Sequence, residues 1–217
     1  MSYTPPDATA EVLCGADWFV SGGSKVLLYG DSGAGKTSMI DLLRRFATPD
    51  AGQVRLGGQP VGAYTLESLR RAVVVLETEP VMFRGKLMAN LRYGHESASD
   101  DEVFMAARRA GVDAFVSQLP DGYSTEIGAG GAGLSTGQRQ RIAIARALLA
   151  DPAVLVLDEA TSNLDALAVS GMHELIDEHF SQTTRVVITH VPSQVPRVEA
   201  VFHLAGGQIR HMAAEAS

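Results

Sequence analysis

Residues Lys25–Ser38 read "KVLLYGDSGAGKTS": an apolar run, a glycine-rich turn, then a lysine and a threonine opening a helical pattern. The spacing is Gly30-x4-Gly35-Lys36-Thr37, and each position has a physical demand on it. Glycines at 33 and 35 let the chain wrap a phosphate with its amide hydrogens, and the helix start behind them adds positive potential. The loop residues Asp31, Ser32, Gly33, Ala34 and Gly35, with Ser38 behind them, form the candidate phosphate cradle. Lys36 offers a point charge to β- and γ-phosphates, and the Thr37 hydroxyl a ligand to Mg²⁺. A bland glycine turn with a surface lysine would not need a buried strand before it and a helix after it. The stretch predicts binding of a nucleoside triphosphate.

Working outward, short apolar runs recur at Val26–Tyr29, Val73–Leu76, Val154–Leu157, Val186–Thr189 and Val201–Leu204. Uninterrupted runs this short read as strands buried on both faces, the habit of parallel sheets. Helical patterns lie between them over Lys36–Phe46, Gln138–Ala150 and Leu164–Phe180. In the last, Met172, Leu175, Ile176 and His179 share a face at helical spacing. Alternating strands and helices predict an α/β fold with ligands at the strand C-terminal ends. From about Pro80 to Ala150 no strand is expected. Ser99 ahead of Asp100, Asp101 and Glu102 caps one helix, and another runs near Asp113–Gln118 before Pro120. This predicts a helical subdomain over about 80–150 inserted in a core of about 1–79 and 151–217.

"DPAVLVLDEATSNLD" (Asp151–Asp165) sets Asp158 and Glu159 just past a buried strand. Asp158 suits a hydrated Mg²⁺, and Glu159 suits polarising a water for attack on a γ-phosphate. Two acids at a solvated strand end are common, and the pairing carries weight only beside the phosphate loop. His190 ends the run "RVVITHVP", whose strand end belongs beside Glu159 in a parallel sheet. There it could hydrogen-bond a γ-phosphate oxygen and order the water.

A second glycine-rich loop, "GAGGAGLSTGQRQR" at Gly128–Arg141, also runs into a helix start and looks built to approach an anion. The net charge of -7 over 217 residues argues against broad electrostatic binding to nucleic acid. Cys14 is the single cysteine, so no intramolecular disulfide forms and a reducing compartment fits. No apolar run approaches the ~20 residues of a membrane-spanning helix, and the N-terminus lacks a secretory signal pattern. The chain is expected to be soluble, without direct membrane insertion, and to reach a membrane only through a partner.

Together the motifs resemble the nucleotide-binding domain of ABC transporters, particularly exporters, from about Tyr3 to about Arg210. "GDSGAGKT" matches the phosphate loop, "VLVLDEATSNLD" the Walker B strand, catalytic glutamate and D-loop, and "ITH" the switch histidine. "LSTGQRQRIAIARALL" resembles the family signature, while "MFRGKLMANLRYG" and "LPDGYSTEIG" resemble exporter stretches. The resemblance implies a phosphate-loop NTPase core with a mostly parallel sheet, a partial antiparallel lobe and an inserted helical subdomain. It implies ATP and Mg²⁺ as ligands, and a head-to-tail dimer in which Ser135, Thr136, Gly137, Gln138 and Asp165 meet nucleotide. It implies a transmembrane exporter domain as partner, a second nucleotide-binding domain (homo- or heterodimer), and a place at the cytoplasmic face of the cell membrane. Tyr3, in "YTPP", is the candidate to stack on adenine, with a tail residue as the alternative. The first strand of the antiparallel lobe would fall before Met1, as in an excised or trimmed domain.

Three positions depart from the family pattern. Thr136 stands where the signature has glycine, Thr78 where the Q-loop glutamine sits near Mg²⁺, and Ala129 where exporters often carry glutamate. These departures keep a regulatory, poorly hydrolysing module open beside the leading reading of an export ATPase. A soluble ABC-type ATPase of DNA repair or translation is the third, opposed by the exporter stretches and the acidic balance.

Overall fold

The computed structural model describes residues 1–212. In chain order its elements are β1 (Lys25–Tyr29), α1 (Lys36–Leu43), β2 (Arg55–Leu56), β3 (Gln59–Pro60), α2 (Leu66–Ala72) and β4 (Val73–Glu77). There follow β5 (Gly85–Lys86), α3 (Leu87–Arg92), α4 (Asp100–Arg109), α5 (Asp113–Val116), β6 (Glu126–Ile127) and α6 (Thr136–Ala150). The chain continues with β7 (Val154–Asp158), α7 (Ala166–His179), β8 (Thr184–Ile188), β9 (Ala200–Ala205) and β10 (Gln208–Met212). They fall into two compact units: residues 1–75, 153–159 and 182–212, and residues 76–152 with 160–181.

The six-stranded sheet is ordered β10-β9-β1-β8-β7-β4, and all of it except the last two residues of β4 belongs to the first unit. β1 pairs in parallel with β8 and β9, and β7 with β8, while β10 closes the edge antiparallel to β9. The central strands are the apolar runs of the sequence, buried along nearly their whole length because both faces are covered. Leu13, Val26, Leu28, Leu42, Leu69, Val156 and Ile188 form the middle of the core. Register fixes where the strands end: Leu28 and Asp158 both pair with Ile188, so β1, β8 and β7 finish level. The loops after those three strands therefore leave one edge together.

Helix α1 stops three residues before the expected Phe46. Arg45 takes the left-handed conformation (φ 60°), the Phe46 amide donates to Asp41 and the Arg45 amide to Leu42. That is a Schellman closure with arginine in the place glycine usually fills. Tyr3, the candidate for stacking on adenine, is held at the edge of this core. Its backbone pairs with Leu13, and the residue, 9% exposed, packs in the core cluster.

In the second unit α3, α4 and α6 pack together. Val103, Ala106 and Ala107 of α4 and Ile142, Ala145 and Ala147 of α6 are buried, and the alanines among them let helix axes come close. The expected absence of strands here is overturned on a small scale. Gly85–Lys86 pairs antiparallel with Glu126–Ile127, a two-residue ribbon too short to show a period in sequence. The buried face of α7 is Val169, Met172, His173 and Ile176, leaving Leu175 and His179 at its margins. Residues 160–181, read from sequence as part of the core, group with this second unit, where α6 and α7 line a common groove. No helix among the described residues is long and apolar enough to cross a membrane.

Candidate functional site

A cleft of about 310 Å³ opens at the strand edge of the first unit, lined by Ser32, Gly33, Gly35, Lys36, Thr37, Ser38, Asp158, Glu159, His190, Pro5 and Val12. Its floor is the loop after β1. Gly33 and Gly35 have φ of 78° and 106°, a backbone that side-chain-bearing residues adopt at a cost. Gly35 is also crowded: a Cβ there would lie 2.7 Å from Val12 Cγ1. Lys36, buried at 7% exposure, donates from Nζ to the carbonyls of Gly30 (2.6 Å) and Asp31 (2.9 Å). The loop thus holds its cation inside its own curve, at the mouth of α1. Asp31 and Ala34 complete the loop by a turn bond, the Ala34 amide donating to the Asp31 carbonyl, without lining the cleft.

The opposite wall comes from the ends of β7 and β8. Glu159 takes the left-handed conformation at φ 50° and is tied by its amide to the Ile188 carbonyl. A non-glycine residue held there stores strain, of order 1–3 kcal/mol, and aims the carboxylate out of the strand line. Thr189 Oγ1 accepts the Val191 amide and so shapes the turn that carries His190. His190 Nε2 lies 2.5 Å from Glu159 Oε1, with both side chains partly open to solvent. The cleft gathers a buried ammonium, a hydroxyl and a paired carboxylate and imidazole around a nest of loop amides. It suits a polyphosphate together with an activated water.

Mg²⁺ fits the donors present. Thr37 and Asp158 line the same cleft with hard oxygens. No cluster of three or more potential ligands occurs among the described residues. Mg²⁺ is commonly held by one or two protein oxygens plus substrate phosphates, which is what this cleft offers.

The remaining sequence candidates lie in the second unit. Ser135 caps α6: its Oγ accepts the Gln138 amide (3.2 Å), and Gln138 Oε1 accepts the Ser135 amide (2.8 Å), a reciprocal capping box. Thr136 Oγ1 accepts from Arg139 Nη2, so its hydroxyl is turned along the helix. The glycines of the second loop have separate reasons. Gly130, Gly131 and Gly133 have φ of 65°, 79° and 94°, and a Cβ on Gly128 would meet that of Ala132 at 2.8 Å. Asp165 caps α7 by accepting the Ala168 amide, and lines with Gly137 a groove of about 430 Å³ between α6 and α7. Thr78 is half-buried, and its carbonyl accepts from Gln140. Pro5 and Val12, apolar wall residues of the first cleft, carry no motif and were not visible in sequence. The left-handed turn at Glu159 was equally hidden.

A parallel sheet whose first strand feeds a phosphate loop, with a carboxylate at the end of a nearby strand, defines a phosphate-loop NTPase. More narrowly, the chain belongs to the ABC transporter family, as a nucleotide-binding domain of the exporter type. The family profile described as "ABC transporter" matches residues 13–162. The mouse mitochondrial potassium channel ATP-binding subunit is 45% identical over 188 residues, 86% of this chain and 26% of that protein. The mitochondrial iron-sulfur clusters transporter ABCB7 of Oryzias latipes is 36% identical over 222 residues, 96% of this chain and 30% of that protein. A bacterial Atm1-family ABC exporter solved with ATP bound superposes with a TM-score of 0.88 at 36% identity, covering 94% of this chain and 36% of that one. The chain therefore spans about a third or less of the length of these relatives.

Proposed function

We propose that the chain binds MgATP in the cleft of the first unit and hydrolyses it to ADP and phosphate. The observation that carries this is the Glu159–His190 contact of 2.5 Å across from the buried Lys36. In this reading Lys36 and the loop amides hold the β- and γ-phosphates, and Thr37 and Asp158 hold Mg²⁺, with Thr78 as a further contact. The bound ion supplies charge neutralisation on the phosphate oxygens. Glu159 accepts a proton from the attacking water, and His190 keeps that carboxylate oriented and hydrogen-bonds a γ-phosphate oxygen. The ATP-bound Atm1-family neighbour supports the ligand, and its being an exporter supports a transmembrane partner on a membrane face.

The same reading gives the second glycine loop its use. Two copies, or this chain and a second nucleotide-binding domain, would pair head to tail. Ser135, Gly137 and the start of α6 then meet the γ-phosphate held by the other copy's Lys36. A regulatory role with poor turnover is favoured by one observation, threonine at both 78 and 136. Phosphate release with equilibrium ATP binding separates the two. Turnover that falls about 100-fold or more in Glu159→Gln, with binding kept, supports the ATPase. Equal, negligible release by both proteins with ATP still bound supports the regulatory module.

A further inference from the structure

We infer that Gln140 is a positioning residue that fixes the Thr78 segment to the signature helix. Gln140 sits in the second turn of α6 and is 2% exposed. Its Nε2 donates to two successive carbonyls, Glu77 O at 2.8 Å and Thr78 O at 3.1 Å. Both amide hydrogens are thus spent on the peptide units from which the Thr78 side chain departs. Its Oε1 is buried with no hydrogen-bond partner. A residue kept only for packing would not hold an amide there, because a buried unmade acceptor is costly. The donor end is what the position requires.

A second clasp on the same helix encloses the segment. Arg146, six residues on and so roughly 9 Å further along the axis, donates from Nη1 to Val81 O (2.7 Å) and from Nε to Asn90 O (2.7 Å). Asn90 in turn accepts the Phe83 amide and donates to the Phe83 carbonyl. Burial lowers the Arg146 pKa to about 10, a sign of how far this group has been drawn from water. Residues 77–83 are therefore held at both ends by side chains of one helix whose first turn is the Ser135–Gly137 anion-facing start. A movement of that helix start carries the backbone of Thr78 with it, and the converse holds.

The kinetic part of the test rests on the ATPase reading and on Thr78's place in it; the exchange part does not. Gln140→Met keeps the side chain's length and apolar stem, and removes both donors along with the unpartnered acceptor. Gln140→Glu instead sets a carboxylate oxygen against two carbonyls. Amide hydrogen exchange of the full chain is followed by mass spectrometry, beside thermal unfolding and steady ATP turnover. Gln140→Met is expected to speed exchange in residues 78–83 by about tenfold or more, leave α6 and the strands protected, and leave the unfolding midpoint nearly unmoved. Gln140→Glu is expected to speed exchange at 78–83 more strongly and also to lower the midpoint, since it buries a carboxylate against carbonyls, so the midpoint criterion applies to Gln140→Met. With turnover, kcat falls several-fold while KM for ATP holds, since Gln140 does not line the phosphate cleft. Unchanged exchange at 78–83 in both variants overturns the inference. So does faster exchange spread over the whole second unit with a lowered midpoint, or a KM rise matching the kcat fall. Local exchange as expected, from a chain that shows no turnover in the wild type, upholds the clasp and rejects the ATPase.

Discussion

Gly30 lies where β1 gives way to the phosphate loop, and a Cβ built on it would sit 2.3 Å from the Leu204 carbonyl oxygen of β9. Gly33, three residues on, has open space around it but a φ of 78°. The two glycines therefore fail differently. Gly30→Ala must push strands apart and is expected to cost about 1–3 kcal/mol, read as a lower thermal midpoint. Gly33→Ala strains only the loop, by about 1–2 kcal/mol, and is expected to weaken ATP binding more than it lowers the midpoint. Binding isotherms and thermal unfolding of both proteins check this pairing; a Gly33→Ala protein that lowers the midpoint yet binds ATP as tightly as wild type would contradict it. Lys36→Ala, which removes the cation that the loop carbonyls hold, should abolish most ATP affinity. At this scale much of the site was legible in sequence. Lys36, Thr37, Asp158, Glu159 and His190 are named by residue type and spacing, and the sheet register brings them to one edge. The backbone bridge of Tyr3 to Leu13 could not be read from "YTPP", because it depends on a partner ten residues away. Pro5 and Val12 join the cleft by tertiary folding alone, with no chemistry in their side chains to announce them.

Among the elements, the start of α4 was readable because its cap signal is local, whereas α6 begins at Thr136, two residues before the expected Gln138, and α7 at Ala166, two after the expected Leu164. Ser99 with Glu102 and Ser135 with Gln138 both form capping boxes in the structure. The Ser99 amide and hydroxyl hold the Glu102 carboxyl below its usual value. A depressed carboxylate adds stability above its unfolded pKa and loses it as pH falls through the folded one. The thermal midpoint gap between wild type and Glu102→Ala is accordingly expected to be present at neutral pH and to shrink in acid. A gap independent of pH would assign the effect to something other than ionisation. Ser135 has two duties to separate, since its hydroxyl caps α6 as well as standing at the anion-facing helix start. Ser135→Ala should cost about 1 kcal/mol of stability from cap loss alone, whereas Ser135→Asn retains a capping oxygen and should keep the wild-type midpoint. A turnover defect shared by both would then belong to nucleotide contact, and one confined to alanine would belong to the cap. The ends of helices and the shortest strands were less legible. Arg45 in a glycine's conformation stops α1 early, and the Gly85–Lys86 ribbon exists only because residues 126–127 pair with it. Neither follows from local propensity.

For the whole molecule, the parallel sheet could be read from its buried apolar runs, while the grouping of residues 160–181 with the second unit could not, because α7's partner surface is set by tertiary contact. In the proposed reading the two glycine-rich loops serve one nucleotide across a head-to-tail pair. Each copy keeps its Lys36 cleft in one unit and its Ser135–Gly137 helix start in the other. Nucleotide would then be part of the interface, so MgATP should drive dimerisation, most visibly in Glu159→Gln, and hydrolysis should weaken it. The most direct measurement mixes two inactive proteins, Lys36→Ala and Ser135→Arg, and follows ATP turnover against each alone. A mixed pair has one site damaged twice and one site intact, so a head-to-tail pair returns activity in the mixture. No return, with mixed pairs demonstrated by sedimentation in MgATP, would contradict it.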